Sequence, residues 1–545
     1  MSVEAHGQKI DQLFAALGVW GGYQVLQMSL VKFLSFPASF QLYIYLYLGY
    51  QPPLRCQSVV NITSQAHMYV TPNMSVDTGY HKTCVGLIDL INDTLVETER
   101  CDSGYDYAQP KDSTLITEWD LVCDQSYQAQ LSQTVLVVGQ GVGATFFTSL
   151  ADRFGRKKIC LISQWIMLLV SVGTAFAPSI LVFTLIRFFL GAAQQGHVMS
   201  MFVMPIEVLP RPHRATIQMI GSFLWSAFLF VLIGLAYGFQ DYNWRYFQLT
   251  TVVATLATLL PNMLFLDESL RWLLSNGRTE EARRIIDKAA KMNGINPDDI
   301  SIALHASQNN IDKDTDKDTD KKERKSNLLD IFRHRKLRKT AFIMCFAWIV
   351  NAGTSFGLSL TAAKLSGDRF LNYFLIFVCD IPATIISYIT MQRIGRRATC
   401  IASHFITGST LLAAVVINTY LGPSGWVTGL TVVGKFGITM SWGTLFQYTP
   451  ELYPTNLRSV GLGIASSSSR IGGMLAPFAT IVIDYHPWLP GTIYGSSCLA
   501  IVFFLFLLTE TVDKELPQTI EEINSWKKKK KKKKREEKES EDNKY

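Results

Sequence analysis

The sequence predicts an all-α polytopic membrane protein: twelve transmembrane helices in two six-helix halves, with a large extracellular loop between helices 1 and 2. Three observations predict it. Only 17% of the residues are charged and 48% are hydrophobic, whereas ordinary soluble domains carry about 25% charged residues. The apolar residues gather in runs near the ~20 residues that a helix needs to cross a bilayer. One short phrase is also written twice. "EVLPRPHR" at Glu207–Arg214 and "ELYPTNLR" at Glu451–Arg458 are both Glu-x-x-Pro-x-x-x-Arg, 244 residues apart.

The expected spans fall near 26–48, 129–150, 159–177, 180–206, 215–239, 246–266, 340–360, 370–390, 399–421, 426–449, 459–484 and 491–508. Several contain Gly, Pro or a charge, which a helix inside a bundle tolerates because its neighbours satisfy freed backbone groups. The start "MSVEAHGQKIDQ" lacks a basic region followed by a short apolar run. No cleavable signal peptide is expected, and the first span itself is read as the insertion signal.

Lys and Arg set the orientation. Basic clusters follow the even-numbered spans, as at Arg153, Arg156, Lys157 and Lys158, at Arg211 and Arg214, and at Arg393, Arg396 and Arg397. The expected division is therefore a cytoplasmic N-terminus (1–25), a first half (26–266) with its extracellular loop (49–128), a cytoplasmic inter-half loop (267–338), a second half (339–509) and a cytoplasmic polybasic tail (510–545). The net charge of +7 belongs to these cytoplasmic pieces and is no sign of nucleic-acid binding. Eight consecutive lysines, Lys527–Lys534, suit anionic inner-leaflet lipids or a merely solvated tail. Within the inter-half loop, Arg278–Gly294 reads as a helix with Thr279 as cap and Gly294 as stop. Asp312–Lys325 is low-complexity and expected to be disordered.

The extracellular loop carries three glycosylation sequons, at Asn61, Asn73 and Asn92, and four cysteines, Cys56, Cys84, Cys101 and Cys123. Together these predict a glycosylated, disulfide-bonded loop, for which four cysteines allow three pairings. Cys160, Cys345, Cys379, Cys400 and Cys498 lie in or beside spans and read as small packing residues.

The repeat explains the doubled phrase. "DRFGRK" at Asp152–Lys157 returns as "QRIGRR" at Gln392–Arg397, and Glu268-Ser269 returns as Glu510-Thr511. Three marks recur in the same order, after the second, fourth and sixth span of each half. Transporters built of such repeats rock one half against the other around a central site. The charges of these marks are Asp152, Arg153, Arg156, Glu207, Arg214, Glu268 and Arg271 in the first half. Arg393, Arg396, Glu451, Arg458 and Glu510 are their counterparts in the second. They read as an inner gate whose carboxylates and guanidinium groups pair across neighbouring helices and hold the halves together, with Gly permitting the tight turns; the other reading is that the charges merely obey the positive-inside rule.

At these residues the sequence resembles the major facilitator superfamily, and more narrowly its organic cation, anion and zwitterion (carnitine-type) transporter family. "TSLADRFGRK" matches the superfamily motif Gly-x-x-x-Asp-Arg-x-Gly-Arg-Arg/Lys except for Thr148 at the first Gly. "EWDLVC" (Glu118–Cys123), "ESLRWLL" (Glu268–Leu274, with Leu270 where the family has Pro) and "ELYPTNLRSVG" (Glu451–Gly461) carry the narrower likeness, which runs from Gly18 to Pro517. The resemblance implies the major facilitator fold and transport of small organic ions.

Charges within spans are costly and usually functional, and Arg470, Lys435, Asp380 and Arg187 are such charges. Arg470 stands in "SSSSRIGG" of the eleventh span, among small residues. The resemblance implies that cation-selective members place an acid there and anion or carnitine-type members an arginine. Arg470 therefore reads as a grip for a substrate carboxylate, with an internal salt bridge as the other reading. Lys435 and Asp380 read as a gating or structural pair on spans ten and eight, with direct substrate contact as the other reading. Thr384 stands where anion-transporting members often carry Lys, which favours a monoanion or zwitterion over a dianion. Trp225, Trp348 and Phe356 are candidate pocket walls, with lipid or core packing the other reading for each, and His197 reads as a packing or polar helix contact rather than a proton relay.

No metal-ligand spacing, nucleophile elbow, phosphate loop or Walker-type lysine stands out, so neither an enzyme nor a cofactor is expected. Gly139, Gly141 and Gly143 in "GQGVG" read as close helix packing. The expected function is a polyspecific plasma-membrane transporter working by alternating access on carnitine-like zwitterions or monoanions. The runner-up is an organic cation transporter, and a minor third is a non-transporting receptor on the same scaffold.

Overall fold

The computed structural model describes residues 17, 18, 20–56, 86–91, 94–98, 104–209, 213–295, 328–454, 457–512 and 517. The first span is three consecutive pieces, α1 (Gly22–Phe33), α2 (Ser35–Tyr43) and α3 (Tyr45–Leu48). Pro37 lacks the N–H that would return to the Phe33 carbonyl, so the helical ladder breaks one turn earlier.

The loop that follows adds short strands to the helical fold. It holds two antiparallel two-stranded sheets, β1 (Leu54–Cys56) with β4 (Tyr105–Tyr107) and β2 (Gly86–Ile91) with β3 (Thr94–Thr98). The short helix α4 (Leu115–Glu118) is closed by a capping box at Thr114. Glu118 at its end accepts two bonds from Arg245, at 2.5 and 2.7 Å, and one from the Trp244 indole. The loop is thereby tied to the start of the sixth span. Tyr107 donates to Asp120 at 2.9 Å. Burial first, and then the Asp120 carboxylate, push its phenol well above the usual range.

The first half continues with α5 (Ser126–Phe154), α6 (Arg156–Ala175), α7 (Ile180–Val208), α8 (Arg214–Gly238) and α9 (Trp244–Phe265). Two short helices follow, α10 (Leu270–Ser275) and α11 (Thr279–Asn293). The cap of α11 is Arg278 rather than Thr279, which is already its first helical residue. Gly294 ends it in the left-handed region at φ 68°, as expected. Its last residue docks on the first span: Asn293 accepts from the Tyr23 amide at 2.9 Å and donates to the Leu17 carbonyl at 2.6 Å.

After α12 (Leu328–Arg333), the second half is α13 (Arg335–Thr361), α14 (Arg369–Val378) with α15 (Asp380–Arg393), α16 (Arg396–Leu421), α17 (Gly425–Glu451), α18 (Arg458–Leu475) with α19 (Ala479–Tyr485), and α20 (Leu489–Leu505). Pro382 cannot donate to the Val378 carbonyl, which accounts for the break between α14 and α15. Among the described residues the helices group into twelve spans. Seven described stretches, among them Trp244–Phe265 and Arg396–Leu421, have both the length and the hydropathy of a bilayer crossing.

Packing within each half is backbone to backbone. A Cβ on Gly139 would lie 2.1 Å from the Phe188 carbonyl oxygen, and one on Gly143 would lie 2.3 Å from that of Ala192, so α5 and α7 meet through glycines. Gly472 does the same for α18 against Ile349 of α13, at 2.1 Å. Large apolar side chains such as Leu169, Phe176, Leu264 and Phe503 point outward and stand exposed, the pattern of a lipid-facing surface. The described span cysteines, Cys160, Cys345, Cys379, Cys400 and Cys498, are free.

Candidate functional site

Between the two halves lies a cavity of about 320 Å³. The first half contributes spans one, four and five, and the second contributes spans seven, eight and ten. The walls are aromatic: Tyr43, Phe202 and Trp225 from one half, Phe356, Trp442 and Phe446 from the other. At the loop end, rings from both halves close over it. Tyr43 meets Phe377 at 5.2 Å, Tyr47 meets Tyr373 at 4.9 Å, and the Tyr373 hydroxyl donates to the Leu46 carbonyl at 3.0 Å. Toward the motif end the lining continues to Gln447, one turn before Glu451, and Phe202 stacks on Phe446 across the halves at 5.7 Å.

Among the described residues, three charged side chains face this cavity, Lys32, Asp380 and Lys435. Asp380 accepts from Thr439 at 2.6 Å. Lys435 donates to Ser355 at 3.1 Å and Ser359 at 3.3 Å. No ion pair joins them, contrary to the pairing expected of spans eight and ten. Each is satisfied by hydroxyls on a neighbouring helix, and both are left directed at the cavity. Lys32 is the residue that sequence reasoning missed. The signal was present, a lone cation in the apolar stretch "SLVKFL" of the first span.

Of the expected pocket residues, Trp225 and Phe356 line the cavity and two others do not. Trp348 is buried behind the wall, packed edge-on against Trp442 and Phe446, and donates to Thr449 at 3.0 Å. Arg470 is absent from the lining. Its guanidinium donates to Gln140 and Gln195, both at 3.1 Å, so it ties the eleventh span to spans two and four of the other half. The reason is the register of α18, which faces α5; beside Arg470, Thr134 donates to the Met474 carbonyl at 2.9 Å. Neither the carboxylate grip nor an internal salt bridge describes this arrangement.

Arg187 is buried and, among the described residues, has no acidic partner. It donates to Gln133 and lies over the rings of Tyr45 and Phe183, at 5.1 and 5.4 Å. His197 is a packing contact, with Nε2 2.8 Å from the Leu34 carbonyl.

The repeated marks form two matching clusters. In the first half, Arg156 pairs with Asp152 at 2.9 Å and with Glu207 at 3.2 Å, and Arg271 donates to the Glu207 carbonyl at 3.1 Å. Glu268 accepts from the amides of Arg156 at 2.7 Å and Lys157 at 3.0 Å. In the second half, Arg396 pairs with Glu451 at 3.3 Å, and Glu510 accepts from the amides of Arg396, at 2.9 Å, and of Arg397 and Ala398. Arg458 donates to the Tyr453 carbonyl at 3.4 Å. Arg153 lies over the Phe154 ring at 5.3 Å, and Arg393 is exposed.

These ion pairs all lie within one half. Arg156 and Arg396 thus pair with carboxylates of their own half, at the ends of neighbouring helices.

Cys123 is disulfide-bonded. Cys56 ends β1, opposite Tyr105 in the register. The side chains of Cys56 and Arg214, the residues Cys84, Cys101, Asn61, Asn73 and Asn92, and the polylysine tail lie outside what the structure describes.

Comparison with known proteins agrees with this architecture. The family model "Sugar (and other) transporter" matches residues 74–524. The chain is 32% identical over 433 residues to solute carrier family 22 member 6-A of Xenopus laevis, covering 79% of this chain and 76% of that one. It is 30% identical over 545 residues to organic cation/carnitine transporter 2 of Rattus norvegicus, covering 94% and 93%. Its fold resembles the partially occluded inward-open xylose transporter XylE of E. coli, with a TM-score of 0.59, 15% identity, and coverage of 89% and 99%. With the repeated halves, the motifs and the inter-half cavity in place, the chain belongs to the major facilitator superfamily and, within it, to the organic ion transporters of solute carrier family 22.

Proposed function

We propose that this chain is a polyspecific plasma-membrane carrier that moves small organic ions by alternating access, favouring carboxylate-bearing zwitterions of carnitine type or organic monoanions. The observation that carries this reading is the charge of the cavity, two lysines against one aspartate within aromatic walls. A site with one surplus positive charge suits a substrate bringing one negative charge, and the rings suit its apolar or cationic remainder. The name of the rat relative, organic cation/carnitine transporter 2, is consistent with a zwitterion.

In this reading the motif clusters stand on the cytoplasmic side, both termini are cytoplasmic, and the polylysine tail meets anionic inner-leaflet lipids. The clusters, Asp380, Lys435 and Arg187 then serve the moving parts, with each half shifting as a body. The experiment is uptake of labelled monocarboxylates, carnitine-like zwitterions and tetraalkylammonium ions into cells with confirmed surface expression. Uptake of the first two supports the proposal.

A second reading, an organic cation transporter, is favoured by Asp380 alone. Uptake restricted to the tetraalkylammonium ions would replace the first reading with it.

A further inference from the structure

We propose that Lys32 is the docking point for the substrate carboxylate, a role that rests on the organic-anion or zwitterion reading above. Lys32 lies one residue before the end of α1, lines the inter-half cavity and is 2% exposed. Among the described residues its ammonium has no hydrogen bond and no ion pair. The cavity's other charges differ: Asp380 is held by Thr439, and Lys435 by Ser355 and Ser359. A buried, unpartnered ammonium is unfavourable in an apolar span, and an entering carboxylate relieves it.

The fit is local. Gly221 of α8 lies against the lysine, and a Cβ there would stand 3.0 Å from Nζ and 3.2 Å from Cδ. Glycine at 221 therefore leaves the ammonium its place. Trp225, one turn further along α8, and Phe356 opposite it bound the space where the body of an aromatic or aliphatic carboxylate packs. Lys32 belongs to the first half and Lys435 and Asp380 to the second. A ligand held by its carboxylate at one end and its body at the other therefore touches both halves.

The test is uptake of labelled benzoate, L-carnitine and tetraethylammonium by wild type, Lys32→Gln, Lys32→Arg and Gly221→Ala, with surface protein quantified. Loss of one charge-assisted bond is expected to raise KM for benzoate and carnitine roughly 10- to 100-fold in Lys32→Gln. Tetraethylammonium KM should stay level or fall, and Lys32→Arg, which keeps the charge, should recover most of the carboxylate affinity. If Lys32→Gln fails to reach the surface, Gly221→Ala decides. Its Cβ, 3.0 Å from Nζ, pushes the ammonium aside by a few tenths of an ångström and should raise carboxylate KM relative to tetraethylammonium. Unchanged carboxylate KM in Lys32→Gln, or in Gly221→Ala where that variant decides, overturns the role of Lys32 and leaves the carrier reading standing. Wild type that takes up neither benzoate nor carnitine overturns the anion reading itself, and this inference with it.

Discussion

Glu268 closes the start of the third span: its Oε1 accepts from the Arg156 amide at 2.7 Å, and Glu510 repeats the contact on the Arg396 amide at 2.9 Å. A carboxylate at a helix start satisfies orphan N–H groups and meets the positive end of the helix dipole. Glu268→Ala and Glu510→Ala should each cost about 1–2 kcal/mol, read as a fall in the unfolding temperature of the detergent-purified protein. Glu268→Gln, which keeps an acceptor, should lose less. Equal stability in Glu268→Ala would show that the contact has no structural weight.

The turns before these helices depend on glycine. Gly155 has φ 109° and Gly395 φ 100°, and a Cβ would stand 2.3 Å from Glu268 Oε2 and 2.6 Å from Glu510 Cδ. Gly277 is also left-handed, at φ 70°, with nothing within 4 Å of its Cβ position. Gly277→Ala should cost only the conformational term of about 1 kcal/mol. Gly155→Ala and Gly395→Ala should cost more, because the Glu cap must also move. Surface level and unfolding temperature rank the three, and an equal loss in all of them contradicts the cap clash.

The charge clusters should couple inside a half and not between halves. A double-mutant cycle on Arg156 and Glu207, 3.2 Å apart and each 15% exposed at the side chain, should give a coupling of about 1–2 kcal/mol. The cycle on Arg156 with Glu451 should give none beyond ~0.5 kcal/mol. A large value for the second cycle would restore the pairing between halves.

Arg470 and Lys32 should separate in kinetics. Arg470 bonds Gln140 and Gln195 of the opposite half, so Arg470→Gln should change turnover, with the KM ratio of carboxylates to cations left as in wild type. A selective rise in carboxylate KM would instead place Arg470 at the substrate.

The Glu118–Arg245 fork ties the large loop to the sixth span through bonds of 2.5 and 2.7 Å. Arg245→Lys keeps the charge and loses the planar fork, so it should not rescue Arg245→Ala. Both variants should make the loop more sensitive to added protease on intact cells. Protection equal to wild type would mean that the fork does not anchor the loop.

Much of the architecture was legible because it is written locally. The twelve spans show as apolar runs, the two halves as a repeated Glu-x-x-Pro-x-x-x-Arg, and the glycine turns as "DRFGRK" and "QRIGRR". Trp225 and Phe356, aromatic residues within spans five and seven, do line the inter-half cavity. Legibility ended where the rotation of one helix against another matters. Hydropathy marks Arg470, Lys435, Asp380 and Arg187 alike as charges inside spans, and says nothing of what each faces.

Membership of a twelve-span, two-half transporter was thus determined by the sequence alone, since bilayer thickness and the repeat act on each segment without reference to its neighbours. The tertiary structure decided the rest. It turned Arg470 toward two glutamines, left Lys435 and Asp380 without a mutual ion pair on a shared cavity, paired Arg156 and Arg396 with carboxylates of their own half, and brought Lys32 against Gly221. Those outcomes depend on close glycine contacts between helices and on proline breaks in spans one and eight. They set side-chain direction across distances that no local pattern records.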